Sequence, residues 1–264
     1  MELSFSIKEA LKEQAKNNFF NFSSIKVKNL INKSICKEAC EYIYDNEIRI
    51  INKYKDDPNG FSVDLVDRKS YIKYFEFPFR ENAKIFGQFV TSDVFRIAEH
   101  LLDSPVYLKS LEVHSRCAKG TSIPPHQDNA YYGLKNGKGL TFYIPINNEF
   151  ASMGGLKYYK NPPSIELEHV PCNSSGFSLT INKSEELNFD VFKPNYLPGD
   201  CTIHHSRSIH FAEEVPSNAE RSLVVRLSIY AINEFEKDGH AEWYRNMIKL
   251  NRENVSNSLN KMEQ

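Results

Sequence analysis

The run Pro124-Pro125-His126-Gln127-Asp128 decides how this chain is read. In an extended segment alternate side chains share a face, so His126 and Asp128 project side by side, an imidazole next to a carboxylate. Those are two legs of a facial metal site. Candidates for the third come late, in Cys201-Thr202-Ile203-His204-His205-Ser206-Arg207-Ser208-Ile209-His210, and Arg221 follows at the head of the run Ser222-Leu223-Val224-Val225. Two imidazoles and one carboxylate hold a divalent metal while leaving open positions on an octahedral ion. By itself a His-x-Asp triplet is a weak signal, because such triplets arise by chance.

The stretches on either side read as strands. Pro105 to Arg116 begins a β region, and Leu140–Ile146, Gly155–Tyr159, Gly176–Ile181, Cys201–His205 and Ser222–Ala231 continue it as short apolar segments separated by turn residues. Many short strands at regular spacing argue for a sandwich or barrel. Further out the pattern turns helical. Residues 5–16 carry Ile7, Leu11 and Ala15 at helical spacing, Phe22–Val27 alternates as a strand, and a long helix is expected from Ser34 with that serine as its cap. Asp56-Asp57-Pro58-Asn59-Gly60 ends it. The aromatic run Phe61–Phe79 suits strand or core, residues 92–102 a helix capped by Ser92, and the tail Asn233–Gln264 a helix packed outside the barrel.

At 264 residues the chain suits one domain with a large core, with 1–104 mainly helical, 105–231 the β core and 232–264 a C-terminal helix. Lys and Arg number 33 against 34 acidic residues, for a net charge of -1, so the overall balance favours neither nucleic acid nor an anionic membrane as partner. The five cysteines, Cys36, Cys40, Cys117, Cys172 and Cys201, form an odd set without a Cys-x-x-Cys pair, which argues against a disulfide framework or zinc ribbon and for the reducing cytoplasm. No apolar run is long enough to span a bilayer.

Taken in order and spacing, His126-Gln127-Asp128, the turn Gly154-Gly155-Leu156, the turn Pro198-Gly199-Asp200, His210, and Arg221 eleven residues beyond it form a set that resembles the phytanoyl-CoA dioxygenase family of iron(II)/2-oxoglutarate oxygenases. The likeness covers about residues 105–231. It implies a mainly β chain with flanking helices (α+β) whose core is a double-stranded β-helix, a cupin-like jelly roll. It also implies His126, Asp128 and His210 as ligands to Fe(II), since the family's spacing to the arginine selects His210 over His204 and His205. By the same likeness Arg221 takes the distal carboxylate of 2-oxoglutarate, and Tyr143 lines the co-substrate pocket with Thr141 on the same strand face. Arg226, five residues later, would point to the opposite face of the strand.

The reaction so implied consumes O2 and 2-oxoglutarate, releases succinate and CO2, and hydroxylates a small-molecule metabolite. Desaturation, cyclisation and epimerisation stay open, because they differ by substrate placement. The chain departs from the family pattern at Ala212, where relatives carry a small hydroxyl residue, at Asn218, where asparagine usually comes sooner, and at Lys160-Asn161-Pro162-Pro163-Ser164. A cupin-like metal isomerase or hydrolase without 2-oxoglutarate, and a binding module with structural histidines, are the readings from other classes.

Overall fold

The structure is a computed structural model that describes residues 3–57, 60–118, 120, 122–148, 155–172, 177–217, 219 and 221–262, with residues 255 and 257–262 as backbone only. The expected turn at Gly154, the Pro58-Asn59 break, the start of the Gly176 strand and Asn218 lie outside the described residues. The chain begins with β1 (Ser4–Phe5), α1 (Ile7–Ala10), α2 (Glu13–Phe22), β2 (Ser24–Val27) and α3 (Lys33–Tyr54), then the hairpin β3 (Phe61–Val66) and β4 (Lys69–Phe75), and the helices α4 (Pro78–Phe86) and α5 (Ser92–Leu102). The β core follows as β5 (Val106–Arg116), β6 (Ile123–Gln127), the turn of helix α6 (Asn129–Tyr132), β7 (Gly139–Pro145), β8 (Lys157–Tyr159), β9 (His169–Pro171) and β10 (Leu179–Ile181). It is completed by β11 (Val191–Phe192), β12 (Cys201–His205), β13 (Ile209–Ala212) and β14 (Ser222–Ala231), and the chain closes on α7 (His240–Met262).

Two sheets face each other. The major sheet has eight strands in the order β1-β2-β12-β7-β14-β5-β4-β3, and the minor sheet four in the order β11-β8-β13-β6, with β9 and β10 as a separate ribbon. This is the expected jelly roll. The N-terminal part is less purely helical than its local pattern suggests, because β1 and β2 extend one edge of the major sheet and β3 and β4 the other. Strand pairing of this kind links residues far apart in sequence and leaves little local signature. The expected helix over 5–16 is broken at Leu11, and the caps sit one or two residues earlier than expected: Asn32 accepts from the Ser34 amide and Thr91 from that of Val94.

The two faces of the major sheet differ in chemistry. Leu140, Phe142, Ile144, Ile203, Leu223, Val225, Leu227 and Ile229 point outward and form the main hydrophobic core with Phe19, Ile43, Phe86, Ile97 and Leu101 of the helices. The residues between them point inward, towards the minor sheet. There the apolar contribution is small, built on Tyr143, Leu156, Tyr158, Tyr196, Ala212 and Val224. Burying the outer face holds the sheet rigid, since apolar burial contributes about 25 cal/mol per Å², and this leaves the inner face free to carry polar groups. The Pro198-Gly199-Asp200 turn locks β12 to the N-terminal strands: Gly199 has φ +83 and a side chain there would run into the Ile31 carbonyl. Asp200 pairs with Lys26 at 2.6 Å. Helix α7 lies on the β9–β10 ribbon, where Asn251 donates to the Cys172 carbonyl at 2.6 Å. Among the described residues all five cysteines are free and buried, and no helix is long and apolar enough to cross a membrane.

Candidate metal centre

β6 and β13 lie side by side, with His126 directly opposite His210. That register brings together residues that the sequence separates widely, and Asp128 follows at the end of β6, where the backbone turns into α6. One ligand atom from each of His126, Asp128 and His210 lies within 4.8 Å of the others, and all three residues are buried. Asp128 Oδ1 is 3.8 Å from His126 Nε2 and 3.6 Å from His210 Nε2. First-row metals take such ligands at about 2.0–2.2 Å, which sets neighbouring octahedral donors about 3 Å apart, so these donors would close in by roughly 0.6–0.8 Å around an ion. The donor set fits a facial site.

Both rings are oriented for this. His126 Nδ1 donates to the Pro124 carbonyl at 2.8 Å and His210 Nδ1 to the Ser208 carbonyl at 3.0 Å, which fixes the proton on Nδ1 and turns each Nε2 lone pair to the common centre. The two carboxylate oxygens of Asp128 have separate tasks. Oδ1 faces the imidazoles, while Oδ2 accepts from Thr141 Oγ1 at 2.7 Å, Arg226 Nη2 at 2.9 Å, the Tyr132 hydroxyl at 3.1 Å and His204 Nε2 at 3.2 Å. With Oδ2 occupied, Asp128 offers one atom to a metal and leaves three octahedral positions open.

The electrostatics keep the donors in binding form. Burial alone would raise the Asp128 pKa, but the Arg226 guanidinium and the His204 hydrogen bond outweigh it and hold the carboxyl well below its usual range. Burial pushes His126 down to about 3 and His210 to about 4, so both stay neutral. Arg226 is itself shared, with Nη1 on Glu112 at 3.1 Å, and Glu112 is drawn down to about 2 by that arginine and His114 against the opposing effect of burial.

The structure does not bring every expected residue here. Arg221 lies just before β14, on the outward parity of that strand, and binds Glu47 of α3 at 2.7 Å and the Ile72 carbonyl at 2.9 Å. It is a tie between helix and sheet. Arg226, expected to face away, is the arginine beside Asp128, because Val224, Arg226 and Ser228 form the inward face of β14. Thr141 sits in the site but holds the Asp128 carboxylate. Tyr143, one inward position further along β7, lines a cavity of about 440 Å³ together with His114, Arg116, Ile123, Phe177, Ser222 and Val224. Phe177 also packs its ring 6.0 Å from that of His126.

The neighbouring histidines separate by parity. His204 points inward to Asp128 and accepts from the Tyr158 hydroxyl at Nδ1, 3.3 Å away, whereas His205 packs against Phe19 on the helical side. Glu112 and Gln127 carried no expectation. The alternation Glu112, His114, Arg116 along an otherwise strand-like segment was the available signal for a polar interior. Gln127 points away from the metal, where Nε2 donates to the carbonyls of Ile165 at 2.8 Å and Arg207 at 2.6 Å while Oε1 accepts from the Leu167 amide at 2.9 Å. Asn161 adds a second donor to the Arg207 carbonyl at 3.1 Å and accepts from the Ile209 amide at 3.0 Å. The Lys160–Ser164 loop thus braces the turn that carries His210.

Buried neutral histidines make an acid-labile protein. His126 and His205 are held at about 3, His169 and His210 at about 4, in each case chiefly by burial, against 6.5 for a free side chain. Their folded pKa values are depressed, so stability is full above pH 6.5 and is lost as pH falls towards 4, where the unfolded chain takes up protons that the fold refuses. Each tenfold loss of proton affinity on folding is worth about 1.4 kcal/mol, so several such groups draw heavily on the margin of an ordinary domain. The metal-free protein is expected to unfold cooperatively between about pH 6 and 4. Circular dichroism through an acid titration checks this, and retention of native signal at about pH 3.5 would contradict it.

No protein-family profile matches the chain, and no curated protein matches it in sequence. Solved structures do. The non-haem α-ketoglutarate-dependent epimerase SnoN from nogalamycin biosynthesis aligns with TM-score 0.63 at 17% identity, covering 87% of each chain. The EctD protein from S. alaskensis aligns with TM-score 0.65 at 12% identity over 86% of this chain and 79% of that one. EvdO2 from Micromonospora carbonacea var. aurantiaca gives 0.60 at 14% over 86% and 93%. At these identities the likeness is one of fold, which the chain shares with these proteins.

Proposed function

We propose that this chain is an iron(II)- and 2-oxoglutarate-dependent oxygenase of the phytanoyl-CoA dioxygenase type, acting as a single catalytic domain on a small-molecule metabolite, with hydroxylation as its outcome. The observation that carries the reading is the split carboxylate of Asp128, one oxygen facing His126 and His210 and the other held by four donors. A site that needed only a structural ion would have no use for so many open positions. The fold neighbours support it: SnoN was crystallised with Fe3+, α-ketoglutarate and nogalamycin RO, and EctD with bound Fe and with 2-oxoglutarate and 5-hydroxyectoine. The five free cysteines support a cytoplasmic setting.

His126 Nε2, His210 Nε2 and Asp128 Oδ1 would hold the iron. With 2-oxoglutarate and O2 the iron would supply the oxidising power that removes hydrogen from a substrate, with succinate and CO2 as co-products. Arg226 and His204 keep Asp128 anionic, and with Thr141 and Tyr132 they occupy Oδ2, so that Oδ1 would be the atom offered to iron. Ile123, Phe177 and Val224 give the cavity an apolar side next to its polar lining. A carboxyl group at position 128 separates this site from halogenating relatives, which carry a small residue there.

Among neighbours of this fold are an epimerase and a carbocyclase, so the fate of the substrate is set by its placement. The test is succinate release from 2-oxoglutarate by the iron(II)-loaded protein, with and without a metabolite extract. Extract-stimulated succinate with a product heavier by one oxygen supports the reading. Metal-dependent turnover of a substrate without succinate would replace it by the cupin-like isomerase or hydrolase.

A further inference from the structure

We propose that a second cavity, behind the metal-bearing strand and at the start of α7, is a binding site for a small primary amine in its protonated form. It measures about 350 Å³ and is lined by Gln127, Asn129, Glu168, Asp238 and Trp243, with Glu166 and Lys237 to one side. None of its lining residues belongs to the cavity of about 440 Å³ that Tyr143 lines. Gln127 points away from the metal centre, towards the carbonyls of Ile165 and Arg207, so the two sites lie on opposite faces of β6. The site needs no iron, and its test stands apart from the reading of the metal centre.

Three features of the wall select the same ligand. Asn129 is only 2% exposed, and its Nδ2 donates to the Leu134 carbonyl at 3.1 Å and to Glu166 at 3.4 Å, so the amide cannot turn over without setting oxygen against oxygen. Its Oδ1, buried and without a hydrogen-bond partner, is left to accept from a ligand in the cavity. The charges agree. Glu166 is matched by Lys237 and by Arg207 at 3.0 Å, but Glu168 has only the neutral Asn182 amide at 2.8 Å, and the Asp238 side chain has no ion pair or hydrogen bond among the described residues. Trp243 adds an indole, whose face attracts a cation and covers its alkyl part. An ammonium group answers all three, donating to Asn129 while its charge faces Glu168 and Asp238. An anion would meet two carboxylates and an acceptor, and a neutral alcohol would leave the carboxylates unmatched.

Trp243 is the only tryptophan of the chain, so its fluorescence reads the site directly. The full chain, free of metal and at constant ionic strength, is titrated with butylammonium, tetramethylammonium and 1-butanol, and calorimetry follows the same titrations. Butylammonium is expected to give a saturable response, tetramethylammonium, which has no N–H, to bind roughly tenfold more weakly, and 1-butanol not to saturate. Glu168→Gln and Asp238→Asn change exposed carboxylates and should each weaken butylammonium about twofold to fivefold. Asn129→Ala should bring butylammonium to the level of tetramethylammonium and leave tetramethylammonium where it was. Should that variant not fold, the two carboxylate variants carry the test. Unchanged butylammonium affinity in the Glu168→Gln, Asp238→Asn double variant, binding of tetramethylammonium or 1-butanol as tight as that of butylammonium, or no saturable response to butylammonium in either measurement overturns the proposal.

Discussion

Replacing Asp128 with alanine is expected to abolish iron binding at concentrations that saturate the wild type, and with it all turnover. The side chain supplies the only anionic donor of the three and the only one that the surrounding residues hold in a single orientation from four directions. His126 and His210 alone would offer two neutral donors, too few for a hard divalent ion in competition with water. The fold should survive, because Arg226 keeps Glu112 as its counter-ion. Iron content after equilibrium dialysis, together with a thermal melt of the metal-free protein, tests both halves. A variant that retains iron at wild-type affinity would move the centre elsewhere.

Arg226→Leu is expected to have the larger effect on stability. The arginine joins two buried carboxylates, Glu112 at 3.1 Å and Asp128 at 2.9 Å, and its loss leaves both without their main compensating charge. Breaking a buried pair in this way costs about 3–5 kcal/mol. The Asp128 pKa would rise, since burial already pushes in that direction and Arg226 is the first of the groups that oppose it. Iron would then compete with a proton, and affinity would fall most steeply at acid pH. Denaturant unfolding of metal-free protein measures the cost, and adding Glu112→Gln to the variant should return part of it. A metal-free Arg226→Leu within about 0.5 kcal/mol of wild type would show that the two carboxylates do not depend on this charge.

The contrast between the two arginines shows what the sequence could and could not disclose. His126 and Asp128 were legible because their relation is local, two positions apart on an extended segment. The bounds of β12 and β14 were legible from β-branched runs, and the jelly roll from the succession of such runs. Which face of β14 points inward was not. Both faces of that strand are buried, the outer one by helices and the inner one by the minor sheet, so the usual alternation of apolar and polar residues fades. Counting eleven residues from His210 then selected Arg221, although the inward residues begin at Ser222 and continue through Val224 and Arg226. Likewise β3 and β4 fall in the aromatic run that suits strand or core, but their place at the edge of the major sheet was not legible, because joining a sheet edge depends on a partner far along the chain. The alternation of Glu112, His114 and Arg116 was present in the sequence and meaningful only with the knowledge that β5 faces a metal.

The brace formed by Gln127 and Asn161 bears on how such a protein recovers from losing its ion. Gln127 and Arg207 are 80 residues apart, and two amides hold the Arg207 carbonyl without lending any atom to the metal-facing side. The entropy of closing so long a loop, which grows only as the logarithm of its length, is met by the folded scaffold and not by the ion. An emptied site therefore keeps its shape. In the proposed oxygenase, an iron that left such a site would be replaced by simple ligand exchange, with no refolding step.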